Sequence, residues 1–224
     1  MIISVHIPKN AGTSFARSLD AHFGSGLLQD YVDLPTNTPQ YERNRSALLA
    51  SVHNAETAHL SGIECIHGHF LPLKYLLFSL KKEVSFITWL RNPVERVLSH
   101  FYYLKSFYEP ATAPTLHRKM IEEEWSLEQF CLSPQLKNLY SQFLWGFPLE
   151  YFAFIGITEF YEEDLAYFSG HYLGKNLEPH KENVGKSEGR RYEIDASFRA
   201  KLEQFHARDF ELYRTALLMR QKRL

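Results

Sequence analysis

Three short segments of this sequence combine residue types that bind phosphate groups or move protons. In the first, HIPKNAGTSF, Lys9 and Gly12 precede the hydroxyls of Thr13 and Ser14. Glycine lets a backbone approach a phosphate closely, and the start of a helix offers unpaired N–H groups. The segment therefore predicts a phosphate-binding loop, although its lysine comes before the glycine, the reverse of the common triphosphate loop. A plain strand–turn–helix corner capped by Thr13 or Ser14 explains the same residues equally well.

The second segment runs from Arg91 to Ser99, directly after the apolar run VSFITWL. The planar guanidinium of arginine is well suited to a dianionic phosphate. Taken alone, the pair is better explained by a salt-bridge partner and a surface hydroxyl. Together with a separate phosphate loop, it suggests a ligand that carries two phosphate groups.

The third segment, IHGHF, places His67 and His69 two residues apart. In an extended chain such residues face the same way, so both imidazoles could point into one cleft. Histidine is the usual general base near neutral pH. No further ligands stand at spacings that would complete a zinc site, so we expect no metal. A pair of hydrogen-bonded structural histidines is the simpler interpretation of this segment by itself.

The elements that must position these residues alternate between strands and helices. Strands are expected over 1–7, 62–67, 84–90 and 151–157, and helices from Thr13 to Gly24 and over 45–59, 93–108, 116–124, 127–131, 135–144, 162–173, 196–206 and 209–220. The stretch 24–40 is rich in turn residues and is expected to be irregular. This alternation predicts an α/β fold with a central, mostly parallel sheet flanked by helices. Ligands of such folds lie at the carboxyl ends of the strands, where the segments at Lys9 and Arg91 both begin.

The bulk composition narrows the class of protein. The 224 residues suit a single domain over 1–224, and a formal net charge of −1 gives no support for binding nucleic acid or a membrane surface. No apolar window is long enough to span a bilayer, and Cys65 and Cys131 read as reduced core residues. The sequence therefore favours a soluble, cytoplasmic protein. Its oligomeric state cannot be inferred.

Taken together, the segments resemble those of sulfotransferases that use 3′-phosphoadenosine-5′-phosphosulfate (PAPS). HIPKNAGTSF is similar to their 5′-phosphosulfate-binding loop, whose pattern is close to PKTAGTS, and ITWLRNPVERVLSHFYYL resembles their 3′-phosphate-binding segment. IHGHF resembles a histidine-containing segment of the heparan sulfate 2-O-sulfotransferase and uronyl 2-O-sulfotransferase branch. The later segments FIGITEFYEEDL, HKENVGKSE and FHARDFELY echo the same branch.

This resemblance implies a three-layer, P-loop-like fold and a role for each matching residue. The 5′-phosphosulfate would be bound by Lys9, Asn10, Ala11, Gly12, Thr13 and Ser14, and the 3′-phosphate by Arg91 and Ser99. The catalytic residues would be His69 as the base, Lys9 at the leaving group and His67 in an assisting role. A loop around Lys186 and Ser187 would close over the nucleotide. Asn10 departs from the threonine common in the family but can still donate a hydrogen bond.

The expected reaction is in-line transfer of a sulfuryl group to an acceptor hydroxyl, without a metal. The expected acceptor is a glycan or a small molecule. Lys181, Lys186, Arg190 and Arg191 could face an acidic saccharide, and the stretches 24–40 and 108–124 are candidates for selecting the acceptor. Two alternatives stay open. A P-loop kinase would need GxxxxGK[ST] and a strand-end aspartate for magnesium. A nucleotide-binding module would keep the pocket without catalysis.

Overall fold

The computed structural model describes residues 1–33, 35–55, 60–175, 177 and 192–223. Its centre is a five-stranded parallel sheet in the order β2-β3-β1-β4-β5. The strands are β1 (Ile2–Val5), β2 (Leu27–Asp30), β3 (Cys65–Gly68), β4 (Ser85–Leu90) and β5 (Phe152–Ile157). The predicted α/β fold with a parallel sheet between helices is confirmed.

Helices account for most of the remaining described chain. Their bounds are α1 (Gly12–Phe23), α2 (Gln40–Asn54), α3 (Leu76–Ser79), α4 (Pro93–Lys105), α5 (Thr115–Glu122), α6 (Leu127–Cys131), α7 (Leu139–Phe143), α8 (Tyr161–Phe168), α9 (Ala196–Phe205) and α10 (Ala207–Arg223). A π-helical turn at Ser169–Leu173 extends α8. No helix among the described residues is long and apolar enough to cross a membrane.

The sheet is buried on both faces because its apolar side chains alternate between two cores. Ile3 and Val5 of β1 pack into a core that includes residues of α2, α7 and α10. Ile2 packs on the opposite face with Phe15 of α1 and Phe168 of α8. A third cluster joins α4, α5, α6 and α9 beside the sheet. Such two-sided burial is typical of parallel sheets and gives the three-layer arrangement.

Four local expectations were wrong. The stretch 24–40 contains β2, whose backbone pairs with β3 although the strand has only four residues. Helix α2 begins at Gln40, ahead of the expected position 45. The expected helix over 135–144 is a 3-10 turn at Pro134–Leu136 followed by α7, because Asn138 adopts a left-handed backbone with φ of 53°. Helix α10 begins at Ala207, directly after α9, and extends to Arg223 rather than 220.

Candidate active site

The side chains singled out in the three segments meet at one edge of the sheet. Since all five strands run in parallel, the residues that follow them emerge on the same side. Tyr31 follows β2, His69 follows β3, His6 follows β1 and Arg91 follows β4. Read across the sheet, this order places the imidazoles on one side of the β1 loop and the arginine on the other.

The loop between β1 and α1 has a backbone shape that leaves the helix start open. Lys9 and Ala11 both have positive φ, 70° and 62°, a conformation that side chains other than glycine adopt rarely. Helix α1 begins without a side-chain cap among the described residues, so neither Thr13 nor Ser14 caps it. The alternative interpretation of this segment, a helix start capped by the hydroxyl of Thr13 or Ser14, is therefore wrong. A helix start without a side-chain cap is the kind of backbone arrangement that binds anions.

Helix α4 begins differently, which sharpens the contrast with α1. The side chain of Asn92 accepts hydrogen bonds from the backbone N–H groups of Val94 and Glu95, at 3.0 and 3.3 Å. Glu95 pairs with Arg199 at 3.1 Å, and the N–H of Asn92 donates to Glu159. The first turn of α4 thus has a side-chain cap, whereas that of α1 has none among the described residues.

Gly12 lies against the side chain of His6. A Cβ atom at this position would lie 1.7 Å from Nε2 of His6, far inside van der Waals contact. The imidazole of His6 therefore packs directly against the backbone of the loop after β1. A larger residue at Gly12 would displace this ring together with the loop.

Two cations face this open helix start without compensating carboxylates. Neither Lys9 nor Arg91 forms an ion pair with any residue in the described part of the chain. The ammonium of Lys9 lies 3.9 Å from the ring centre of Tyr103, a cation–π contact. Burial and the charge of Arg91 lower the pKa of Lys9 to about 8. The paired positive charges make this part of the site electrostatically suited to an anion.

Ser99 lies where it can join the same site. It is half-buried on α4, one helical turn before Tyr103, so both residues lie on one face of the helix. Tyr103 contacts Lys9, so the face of α4 that carries Ser99 also carries a residue in contact with the β1 loop. The structure thus brings the segments at Lys9 and Arg91 together, as their chemistry suggested.

The histidine segment forms a stacked cluster with a third imidazole. The ring of His6 lies between His67 and His69, at centroid distances of 5.1 and 4.2 Å, and its Nδ1 is 3.0 Å from the hydroxyl of Tyr31. His67 is fully buried in β3, with its Nδ1 2.8 Å from the hydroxyl of Ser4. Burial, with the charge of His69, lowers the pKa of His67 to about 3, so its ring is neutral and inaccessible. The described contacts of His67 are with Ser4 and the rings of its neighbours in the cluster.

His69 is half-buried beyond the strand end, and its tautomer is fixed by a backbone carbonyl. Its Nδ1 lies 2.5 Å from the oxygen of His6, which can only accept a hydrogen bond. Nδ1 therefore carries the proton, and Nε2 carries a lone pair. Burial lowers the pKa of His69, with the His6 carbonyl opposing the shift, so the ring is neutral at pH 7. A neutral imidazole with a free Nε2 can act as a general base.

Asn10 and Tyr140 connect the loops that follow β1 and β4. Asn10 is buried, and its amide donates to the carbonyl of Trp89 at 2.9 Å. The hydroxyl of Tyr140 lies 2.5 Å from the carbonyl of Arg91 and 3.2 Å from Oδ1 of Asn10. The Asn10 side chain thus faces the protein, and only its backbone can face a ligand at the loop. The hydrogen bond to Trp89 ties the loop after β1 to β4.

Two buried charged residues, Arg96 and Asp209, lie close to Tyr140. Arg96 of α4 is fully buried and its guanidinium nitrogens have no hydrogen-bond partner in the described part of the protein. Burial lowers the pKa of Arg96, while Tyr140 and Asp209 raise it. Asp209 accepts backbone hydrogen bonds from Tyr140 and Ser141 and so holds the first turn of α7, although burial raises its pKa to about 6. Arg96 adds positive charge beneath Arg91.

Comparison with known proteins supplies no family for this chain. No protein-family model matches it, and a search of curated proteins finds no match. Lys186 and Ser187, expected to close over a nucleotide, lie outside the described residues, as do Lys181, Arg190 and Arg191. No group of three or more metal-binding side chains occurs in the described part of the chain.

Sequence reasoning missed His6, Tyr31, Tyr103 and Tyr140. His6 stands within the quoted loop segment, and its position directly after β1 could have identified it. Tyr31 was hidden because β2 was not predicted. Tyr103 and Tyr140 could not have been identified from the sequence. Tyr103 has the pattern of a helix-surface residue, and Tyr140 joins loops that lie far away in the chain.

Proposed function

We propose that this protein is a PAPS-dependent sulfotransferase that transfers a sulfuryl group to an acceptor hydroxyl. The observation that carries the proposal is the uncompensated pair Lys9 and Arg91 at the uncapped start of α1. An anion would compensate these two charges, which come from two separate loops. A ligand with phosphate groups at the 3′ and 5′ positions of a ribose could contact both loops. The resemblance to sulfotransferases suggests such a ligand.

In the proposed reaction, residues on the two sides of the β1 loop have different roles. His69 Nε2 takes the proton of the acceptor hydroxyl, whose oxygen forms a bond to sulfur while the bond from sulfur to the bridging oxygen breaks. Lys9 faces that bridging oxygen and stabilises the negative charge it gains as the bisphosphate leaves. The N–H groups of Gly12, Thr13 and Ser14 bind the 5′-phosphate, and Arg91 with Ser99 binds the 3′-phosphate. Fixed dipoles and charges of this kind stabilise a transition state without reorganising.

The strand order supports this division. His69 and Tyr31 follow β3 and β2, on the side of the β1 loop away from Arg91. A nucleotide that spans Lys9 to Arg91 leaves the imidazole side open to the acceptor. An in-line reaction needs the acceptor and the leaving group on opposite sides of the sulfur, and an acceptor bound on the imidazole side would meet this requirement. A carbohydrate hydroxyl is the acceptor we favour, on the resemblance alone.

Two experiments test the proposal. The first measures transfer of radiolabelled sulfate from PAPS to a panel of glycans and small alcohols. The second compares affinities for adenosine 3′,5′-bisphosphate and adenosine 5′-monophosphate. The bisphosphate should bind at least about tenfold more tightly, because a charge-assisted contact contributes more than a decade in affinity. Arg91→Ala should remove this preference, and Arg214→Ala, which changes an exposed arginine on α10, should keep it.

Equal affinities for the two nucleotides, or no transfer to any acceptor, would contradict the proposal. Transfer of a phosphoryl group from magnesium ATP would favour the kinase alternative. Tight bisphosphate binding with no transfer would favour a nucleotide-binding module.

A further inference from the structure

Helix α2 presents large apolar side chains to solvent along one of its faces. Tyr41, Leu48, Leu49 and Val52 are each between 49% and 78% exposed. With 3.6 residues per turn, these four positions fall within an arc of about 100° on the helix. The opposite face of α2 packs on the protein. The outer face therefore has the apolar content of a packed helix face but is covered by no other part of the described chain.

A fifth exposed side chain extends this apolar surface beyond the helix. Leu80, which is 77% exposed, directly follows α3. Helix α3 lies beside α2, because the N–H of Leu77 donates to the hydroxyl of Ser51 at 3.1 Å and the ammonium of Lys81 donates to the carbonyl of Ala55 at 2.9 Å. Leu80 therefore lies at the C-terminal end of α2. We call these five exposed apolar residues the α2 face, and an apolar patch of this kind is typical of an interaction surface.

The two ends of the α2 face carry opposite charges. Glu42 lies in the first turn of α2, whereas Lys81 and Lys82 lie at its C-terminal end. All three are exposed, and none forms an ion pair with another described residue. Arg45 lies within the apolar arc, where its aliphatic stem can cover apolar surface while its guanidinium stays at the rim. An acidic end and a basic end on one apolar face are self-complementary when two such faces meet antiparallel.

We propose that the α2 face is the interface of a homodimer, in which α2 packs antiparallel against α2 of a second copy of this chain. A two-fold axis between Leu48 and Leu49 places Glu42 opposite position 55 of the partner helix, since both are equally far from the axis along the sequence. Position 55 is the residue whose carbonyl Lys81 contacts. Because the interface is symmetric, the contact between Glu42 and the partner subunit's Lys81 forms twice.

The charges favour a second copy over a lipid surface as the occupant. An anionic membrane would attract Lys81 and Lys82 but would repel Glu42 at the other end of the face. A second copy compensates both ends, with an apolar centre and a charged rim as in other protein interfaces. The inference goes beyond the proposed transfer and does not rest on it, because no residue of the α2 face belongs to the loops at Lys9, Arg91 or His69.

Sedimentation equilibrium of the full chain over a range of concentrations tests the dimer. Leu49→Glu should raise the dissociation constant at least about tenfold, because it places an unpaired charge in the apolar centre of the interface. Leu218→Glu is the matched control, since Leu218 is an equally exposed leucine on α10, at 59% against 57%, and it should dimerise as the parent does. A parent chain that is still monomeric at about 1 mM, or equal losses in the two variants, would overturn the proposal.

A charge exchange tests the antiparallel pairing. Glu42→Lys and Lys81→Glu should each raise the dissociation constant about threefold or more, because each homodimer then brings like charges together twice. An equimolar mixture of the two variants should associate as tightly as the parent, because the mixed dimer again has opposite charges at both contacts. A mixture no tighter than either variant alone would overturn the pairing. Adenosine 3′,5′-bisphosphate affinity should be unchanged in Leu49→Glu, which separates this inference from the proposed transfer.

Discussion

His69 can act as a base only while its Nε2 is unprotonated, and its surroundings keep it so. Because burial lowers the pKa of His69, the ring should stay neutral below the ordinary histidine value of 6.5. The value of kcat/KM for the donor should therefore stay constant as the pH is lowered to 6.5 and should decrease only below that pH. A pH–rate profile measures this directly, and an acid limb centred above pH 6.5 would contradict the assignment.

Replacing His69 separates its chemical role from a structural one. His69→Ala should abolish most transfer, since general base catalysis contributes about 10²–10⁴-fold, while bisphosphate affinity stays within a few-fold. His171→Ala, at an exposed histidine on the π-helical turn, is the matched control and should retain activity. Full activity in His69→Ala would remove the proposed base.

Ligand binding should change the protonation state of Lys9. In the free protein its pKa is about 8 because it is partly buried beside Arg91, so near pH 8 a large fraction of the side chain is neutral. A dianionic phosphate raises that pKa, and binding at pH 8 should then take up protons that binding at pH 6 does not. Calorimetry in buffers of different ionisation enthalpy measures the uptake. Lys9→Met should eliminate it, and an uptake that survives this change would assign it to another group.

At the scale of secondary-structure elements, the hydroxyl of Tyr140 fixes the spacing between the loops that follow β1 and β4. It connects the backbone of Arg91 with the side chain of Asn10, so α7 holds the ends of β1 and β4 in register. Tyr140→Phe should weaken bisphosphate binding about tenfold through lost alignment, with a smaller loss for the 5′-monophosphate. The control is Tyr172→Phe, which removes a hydroxyl bonded to the Ala153 carbonyl at the start of β5.

A double-mutant cycle decides whether Tyr140 acts through Asn10. The effects of Asn10→Ala and Tyr140→Phe on bisphosphate affinity should not add, because the two side chains share one hydrogen bond. Additive effects would mean that each residue acts separately, and equal losses in Tyr172→Phe would mean that stability alone is responsible.

At the scale of the whole molecule, the carboxylate of Asp164 connects three elements of the fold. It is fully buried on α8, accepts the backbone N–H of Ile157 at 2.7 Å, and pairs with Nε of Arg220 on α10 at 2.8 Å. Asp164→Asn removes the buried carboxylate that Arg220 shares with Arg223 and leaves Arg220 only its pair with the exposed Glu163. The change should lower the free energy of unfolding by about 3–5 kcal/mol. Denaturant unfolding measures the loss. Glu128→Gln, which breaks the exposed pair with Lys201, should change stability little, and a similar loss there would contradict the argument.

Long apolar strands and capped helices could be predicted from the sequence, because their signals are local. VSFITWL and the Asn92 cap locate β4 and the start of α4 directly. The short strand β2 escaped because pairing with β3, rather than its own residues, makes it a strand. The same holds for the site. Loop composition pointed to Lys9, Gly12 and Arg91, whereas the His6 stack and the Tyr140 bridge depend on contacts between distant parts of the chain.

The contact between Gly12 and His6 has a consequence for how two ligands should influence each other. His6 touches the loop after β1 through its ring and holds His69 through its carbonyl, so one residue contacts both proposed halves of the site. In the proposed reaction, a shift of the loop on nucleotide binding would therefore move the imidazole proposed to face the acceptor. We therefore expect a coupling free energy between donor and acceptor, and by thermodynamic reciprocity each ligand should change the dissociation constant of the other by the same factor.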